Sequence, residues 1–201
     1  MATQTIRVAV NGYGVIGKRV ADAVRAQPDM ELVGVSDVVS DYRVKAAVVL
    51  GIPVYASVPD KRGEMQAAGV PVAGTLNDLL GEIDVIVDCT PKGIGAKNLD
   101  VYRQADVKAI VQGGEKHSVT GHSFVAQANY ASTLGRDATR VVSCNTTSTV
   151  RTLVALRDAG LLKKARGVLI RRATDPWESD HSGIMNTVVP EEHIPSHQGP
   201  D

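Results

Sequence analysis

Aromatic residues are scarce in this chain, with one Phe, one Trp and five Tyr among 201 residues, so any core is built from aliphatic side chains. Cysteine occurs only as Cys89 and Cys144, too few for a disulfide framework, which points to a reducing, cytoplasmic setting. Charge of one sign is missing as well. Twenty-two basic residues match twenty-two acidic ones, and nothing in that balance argues for nucleic acid or a membrane surface as partner. No apolar run approaches membrane-spanning length, and the opening MATQTIR lacks the apolar stretch of a signal peptide. The two Cys and five His fall at no metal-ligand spacing, so no metal is expected. What remains is a chain of ordinary globular composition, long enough for one large domain or one and a half.

The first pattern present is Ile6–Val10, a β-branched run that leads into Asn11-Gly12-Tyr13-Gly14-Val15-Ile16-Gly17. This is G-x-G-x-x-G directly after a strand and opening a helix, with Ile16, Val20, Ala23 and Val24 expected on its buried face. Gly12 makes the tight turn, Gly14 lets backbone approach a pyrophosphate, and Gly17 lets helix and strand pack closely. A second strand, Leu32–Val35, ends at Ser36-Asp37, and Asp37 stands twenty positions after Gly17. That is where a dinucleotide-binding unit places the carboxylate for the adenosine ribose, which favours NAD by repelling the 2′-phosphate of NADP. The competing reading is an Asp that only caps a turn before a helix over Tyr42–Leu50. Arg43 and Lys45 nearby keep NADP open.

Further on, strands and helices alternate: Ile52–Tyr55, a helix over Arg62–Ala68, Val70–Val72, then a helix over Leu76–Leu80. Val85–Cys89 is a buried strand that ends in Thr90-Pro91-Lys92-Gly93, and Val107–Val111 is another, ending in Gln112-Gly113-Gly114. Ligands of open α/β sheets bind beyond the carboxyl ends of the strands, so Thr90, Gly93 and Gly114 are candidates to border a cofactor. Cys89, with no polar cluster of its own, reads as core. The alternation predicts an α/β fold, a doubly wound parallel Rossmann sheet over 1–140, followed by the incomplete start of an α+β catalytic domain over 141–201.

The stretch Val141–Thr147, VVSCNTT, carries the chemistry. Arg140-Val141-Val142 reads as a buried strand, Asn145, Thr146 and Thr147 are capping types, and Val150, Leu153, Val154 and Leu156 recur at helical spacing. Cys144 is therefore expected where a strand hands over to a helix N-terminus. Backbone N–H groups and the helix dipole favour an anion there, and the thiolate is the nucleophilic form of cysteine. The alternative is a small buried core cysteine. Gly167–Ile170 reads as a strand leading into Arg171-Arg172, whose forked donors suit phosphate, though a surface ion pair is the competing reading.

In this order and spacing, NGYGVIGKRVADAV, DCTPKGIGAKN, QGGEKH, SFVAQANY, VVSCNTT, IRRATDP and PSHQGPD resemble the archaeal-type (type II) phosphorylating glyceraldehyde-3-phosphate dehydrogenases. The resemblance covers essentially every residue, and SCNTT with IRR and PSH is its most specific part. It implies that Cys144 is the nucleophile, flanked by the substrate-binding Ser143 and Asn145, and that Val15 and Ile16 line the cofactor's phosphates. It also implies that Gly114 borders the nicotinamide and that Arg171, Arg172, His197 and Gln198 serve the substrate phosphate or inorganic phosphate. The implied enzyme is a cytoplasmic, glycolytic or gluconeogenic homotetramer using NAD or NADP, with a small-molecule substrate and inorganic phosphate as its partners.

The chain departs from the family in three ways. Its members often carry Lys or Thr where Asp37 stands, and His-His where this chain has His197-Gln198. The family also continues past the position of Asp201, with its catalytic His, the rest of its catalytic-domain sheet and a C-terminal helix beyond. The chain is thus expected to be either a fragment or a truncated form. Competing functions are a related semialdehyde or acyl-phosphate dehydrogenase that also forms a cysteine thioester, and a catalytically silent NAD-binding module.

Overall fold

The computed structural model describes residues 5–168. The chain divides into two compact units, Met1–Val142 and Ser143–Asp201. In the first, strands and helices alternate as β1 (Ile6–Asn11), α1 (Val15–Arg25), β2 (Met30–Asp37), α2 (Tyr42–Val49), β3 (Val54–Ala56), α3 (Lys61–Ala67), β4 (Val72–Thr75), α4 (Leu76–Leu80), β5 (Val85–Asp88), α5 (Ile94–Gln104) and β6 (Lys108–Val111). Four short elements follow: α6 (His117–Thr120), β7 (Ser123–Phe124), α7 (Ala126–Thr133) and β8 (Ala138–Val141). The strands form one sheet in the order β4-β3-β2-β1-β5-β6-β8-β7, and every pairing is parallel.

The expected doubly wound sheet is therefore present. Strand order runs outward in both directions from β1 and β5, so the two loops leaving their carboxyl ends part to opposite faces and leave a crevice between them. Alternating side chains build the two faces. Ala9 and Ile86 join Leu76, Leu79, Leu99 and Tyr102 on the face covered by α4 and α5. Their neighbours Val10 and Val35 join Ala21, Val44 and Met65 on the face covered by α1, α2 and α3.

Two local expectations need correction. The buried residues of α1 are Gly17, Ala21 and Val24, while Ile16 is 51% exposed and Ala23 is also exposed. The cause is Gly17, where a Cβ would lie 1.9 Å from the Gly12 carbonyl oxygen, so this helix face must press on the glycine turn. The last strand covers Ala138–Val141 rather than starting at Arg140, and its buried members are the polar Thr139 and Arg140.

In the second unit, α8 spans Cys144–Asp158. Val150, Leu153 and Val154 are half-buried along it. The cap is Ser143, whose Oγ accepts the Thr146 N–H at 3.1 Å, and the expected capping types Asn145–Thr147 fall inside the first turn. Gly167 and Val168 are exposed and belong to no strand, and residues 169–170, the rest of that expected strand, lie outside the described residues.

Candidate functional site: a glycine-lined crevice and an exposed thiol

The crevice of the first unit is made by three loops. Gly12 has φ +89°, and a Cβ on it would stand 2.9 Å from the Cys89 carbonyl carbon and the Thr90 nitrogen, so the β1 and β5 loops touch through backbone alone. Gly113 does the same for the β6 loop, since its Cβ would meet the Thr90 carbonyl oxygen at 2.3 Å. Gly14 differs from both. It is the N-cap of α1, and a Cβ placed there meets nothing within 4 Å.

That open space lies at the positive end of α1. The helix has no side-chain cap and no acidic residue in its first turn, so its leading amides keep their affinity for an anion. Val15 and Ile16 follow, 42% and 51% exposed, as apolar walls on the same turn. The diphosphate of a dinucleotide fits this cradle, because Gly14 leaves the room that a Cβ would fill.

The other loops are fixed from beneath by buried polar groups that the sequence alone did not single out. Asn11 donates to the Tyr102 hydroxyl at 2.8 Å and accepts from Ser36 at 2.9 Å and Ser57 at 2.7 Å. Tyr102 donates in turn to Asp88 at 2.6 Å, which also accepts from Asn98 at 2.8 Å and from the Thr90 N–H at 2.9 Å. Burial beside Asp88 holds the Tyr102 phenol far above its ordinary range, so it acts as a fixed donor. One hydrogen-bonded chain thus ties the ends of β1, β2, β3 and β5 under the crevice. The signal available in sequence was an Asp ending the apolar run VIVD.

Thr90 is 9% exposed, and its hydroxyl also donates to Asp88, so it meets the crevice through backbone. Gly93 has φ +86° and its N–H donates to Glu115 at 2.7 Å; the same carboxylate accepts from Ala96 at 3.3 Å. Buried Glu115 therefore occupies the N-terminus of α5, in contrast to α1. Gly114 has φ +82° and open space at its Cβ position.

Asp37 reaches the crevice, but its carboxylate has local partners. Oδ2 accepts the Tyr13 N–H at 2.7 Å, and Oδ1 accepts from Val38 at 2.7 Å and Val39 at 3.3 Å. These bonds fit the turn-capping reading of Asp37, which here braces the glycine turn.

The two thiols differ sharply. Cys89 is half-buried, and burial with the Asp88 charge pushes its pKa up to about 12, which leaves it inert at neutral pH. Cys144 is exposed and is the first residue of α8, whose first turn holds no acidic side chain. Ser143 lies half-buried before it and Asn145 half-buried after it. Arg171, Arg172, His197 and Gln198 lie outside the described residues. Among the described residues no group of His, Cys, Asp or Glu could hold a metal ion, and no helix is long and apolar enough to cross a membrane.

Residues 6–145 match the family model described as dihydrodipicolinate reductase, N-terminus. The chain is 51% identical over 197 residues to the glyceraldehyde-3-phosphate dehydrogenase of Methanothermobacter thermautotrophicus, covering 98% of this chain and 58% of that protein. It is 53% identical over 196 residues to the enzyme of the same name from Thermococcus onnurineus, again 98% and 58%. The chain thus spans a little under three-fifths of these relatives. Among solved structures, apo scyllo-inositol dehydrogenase from Lactobacillus casei superposes with a TM-score of 0.51 at 17% identity, over 80% of this chain and 43% of that one. That likeness concerns the fold, a Rossmann-like sheet. By its match across residues 6–145 the chain belongs to the dihydrodipicolinate reductase N-terminal family, and over nearly its whole length it is similar to archaeal glyceraldehyde-3-phosphate dehydrogenases.

Proposed function

We propose that this chain is the dinucleotide-binding domain and the nucleophile-bearing start of the catalytic domain of a phosphorylating glyceraldehyde-3-phosphate dehydrogenase. The observation that carries the reading is that one chain holds both an open glycine cradle, in the first unit, and an exposed cysteine at the head of α8, in the second. About 50% identity to archaeal enzymes of that name, over 98% of the chain, supports it over a semialdehyde dehydrogenase or a silent module. The reductase family match ends at residue 145 and so speaks for the nucleotide-binding unit.

Gly12, Gly14, Val15, Ile16 and Gly17 hold the diphosphate, Asp37 takes the adenosine ribose and favours NAD, and the backbone of Thr90, Gly93 and Gly114 borders the nicotinamide half. The bound dinucleotide supplies the hydride acceptor that no side chain here provides. The sulfur of Cys144 attacks the aldehyde carbon of glyceraldehyde 3-phosphate, forming a C–S bond and an alkoxide that takes a proton. Loss of the carbon-bound hydrogen as hydride to that acceptor, and of the hydroxyl proton to solvent, would leave the carbon held as a thioester. Inorganic phosphate attacks its carbonyl, the C–S bond breaks, and 1,3-bisphosphoglycerate leaves with the thiolate restored. Ser143 and Asn145, with Arg171, Arg172, His197 and Gln198, position the substrate and the two phosphates. The enzyme acts in glycolysis or gluconeogenesis, in the cytoplasm, as a homo-oligomer of tetrameric form.

The test is a steady-state assay of the whole protein with glyceraldehyde 3-phosphate, NAD and phosphate. Sustained formation of reduced dinucleotide should need all three; without phosphate it should stop at about one equivalent per site, with the thioester left on the protein. Turnover with aspartate semialdehyde but not with glyceraldehyde 3-phosphate would overturn the reading.

A further inference from the structure

The loop from β2 to α2 carries a second carboxylate whose contacts concern selectivity. Asp41 is the N-cap of α2, and its Oδ1 accepts the Arg43 N–H at 2.9 Å. Its Oδ2 takes the same residue's Nε–H at 2.9 Å and an Nη2–H in a still shorter contact. Residues two apart on a helix do not ordinarily face each other, so the Arg43 side chain must fold back over the helix start to make this fork. Its Cζ lies 6.0 Å from the centre of the Tyr42 ring. Both members of the pair are about one-third exposed, at 37% for Arg43 and 34% for Asp41. The Asp37 carboxylate acts on the same guanidinium through space, adding to Asp41 in raising its pKa.

The 2′-hydroxyl of a bound dinucleotide comes to the end of β2, next to Asp37. A 2′-phosphate there would face the Asp37 carboxylate, with the Asp41–Arg43 pair four to six residues further along the chain and the guanidinium already giving two of its donors to Asp41. Free, such a fork is well matched to phosphate.

We propose that Asp41 is a specificity-determining residue: by holding the Nε edge of Arg43 it withholds that guanidinium from a 2′-phosphate, so that rejection of NADP rests on the Asp41–Arg43 latch as well as on Asp37. This rests on the reading of the glycine-lined crevice as a dinucleotide site.

The test uses the whole protein and four forms: unaltered, Asp41→Ser, Asp41→Asn, and Asp41→Ser with Arg43→Ala. Ser and Asn both keep the helix cap, and Ser is too short to hold the guanidinium. Dissociation constants for NAD and NADP are measured by titration at low and at high salt. Asp41→Ser should tighten NADP by about tenfold at low salt, the order of one charge-assisted phosphate contact, while NAD changes less than about twofold. Asp41→Asn, still able to accept one bond, should give a smaller gain. Arg43→Ala should erase it, and high salt should shrink it. An unchanged NADP affinity in Asp41→Ser, or a gain that survives Arg43→Ala, overturns the latch while NAD binding by the unaltered protein leaves the crevice reading standing. If the unaltered protein binds neither dinucleotide, the crevice reading itself falls and the latch with it.

Discussion

The Asp37 carboxylate accepts the backbone N–H of Tyr13 at 2.7 Å, so the residue expected to read the adenosine ribose also braces the glycine turn proposed to hold the diphosphate. Removing it should therefore do two things. Asp37→Ala should shift preference from NAD toward NADP, because a repelling charge is gone, and should weaken binding of both, because the turn loses its brace. Titration of both dinucleotides checks this. An unchanged NAD/NADP ratio would count against the ribose role, and NAD bound as tightly as by the unaltered protein would count against the brace.

Gly14 and Gly17 sit three residues apart and should respond in opposite ways. A Cβ on Gly14 meets nothing within 4 Å, so Gly14→Ala should fold with nearly unaltered stability but lose dinucleotide affinity by tenfold or more. A Cβ on Gly17 would lie 1.9 Å from the Gly12 carbonyl oxygen, so Gly17→Ala should destabilise by at least about 1–3 kcal/mol, the usual cost of forcing atoms into a packed interface. Chemical denaturation together with NAD titration separates the two effects.

Much of this arrangement is legible in the chain as written. Ile6–Val10, the glycine triplet and VIVD announce β1, its turn and β5, because a buried parallel strand and a turn with positive φ each demand particular residue types. The rest fails for identifiable reasons. Of the expected face of α1, Val24 is buried and Val20 packs against the core, but Ile16 and Ala23 are exposed, because the contact at Gly17 turns the helix toward the glycine turn. The segment between β6 and β8 shows no period because side chains bonding to backbone shape it. Asn129 accepts from the Val125 N–H at 2.9 Å and donates to the Ser123 carbonyl at 2.7 Å, at a kink in α7. Hydrogen bonds between distant polar residues, such as Asn11 with Tyr102, leave no mark on periodicity at all. Cys144 at the start of a helix is legible from SCNTT, although the cap itself is Ser143.

Tyr102 links Asn11 to Asp88 inside the fold, and Tyr102→Phe leaves the Asn11 amide without that acceptor and Asp88 without one donor. A buried group so orphaned costs about 1–3 kcal/mol, which should appear as a lower denaturant midpoint at unchanged slope. Dinucleotide affinity should fall as well, because this chain of bonds positions the β1 and β5 loops. Full stability in the variant would show that the network is not structural.

His122 gives the fold a pH dependence. It is 6% exposed, with Nδ1 2.7 Å from the Thr139 hydroxyl and Nε2 2.9 Å from the Ser132 hydroxyl. Burial first, and then the charges of Arg136 and His117, hold its pKa below the usual 6.5. The unfolded chain therefore takes up the proton more readily, so the stabilisation is fully present above pH 6.5 and is lost as the pH falls through the lowered value. His122→Gln should flatten the stability profile on the acid side of pH 6.5, as read by denaturation at a series of pH values. An unchanged slope would exclude this residue as the cause.

The central claim is that the Cys144 sulfur carries the acyl group between oxidation and phosphate attack. Its most direct test is intact-protein mass spectrometry after mixing the whole protein with glyceraldehyde 3-phosphate and NAD in the absence of phosphate. A mass increase of one phosphoglyceroyl group, mapped to Cys144, missing in Cys144→Ser and discharged by adding phosphate, is the predicted result. Undiminished turnover by Cys144→Ser, or an adduct mapped to Cys89, would contradict it.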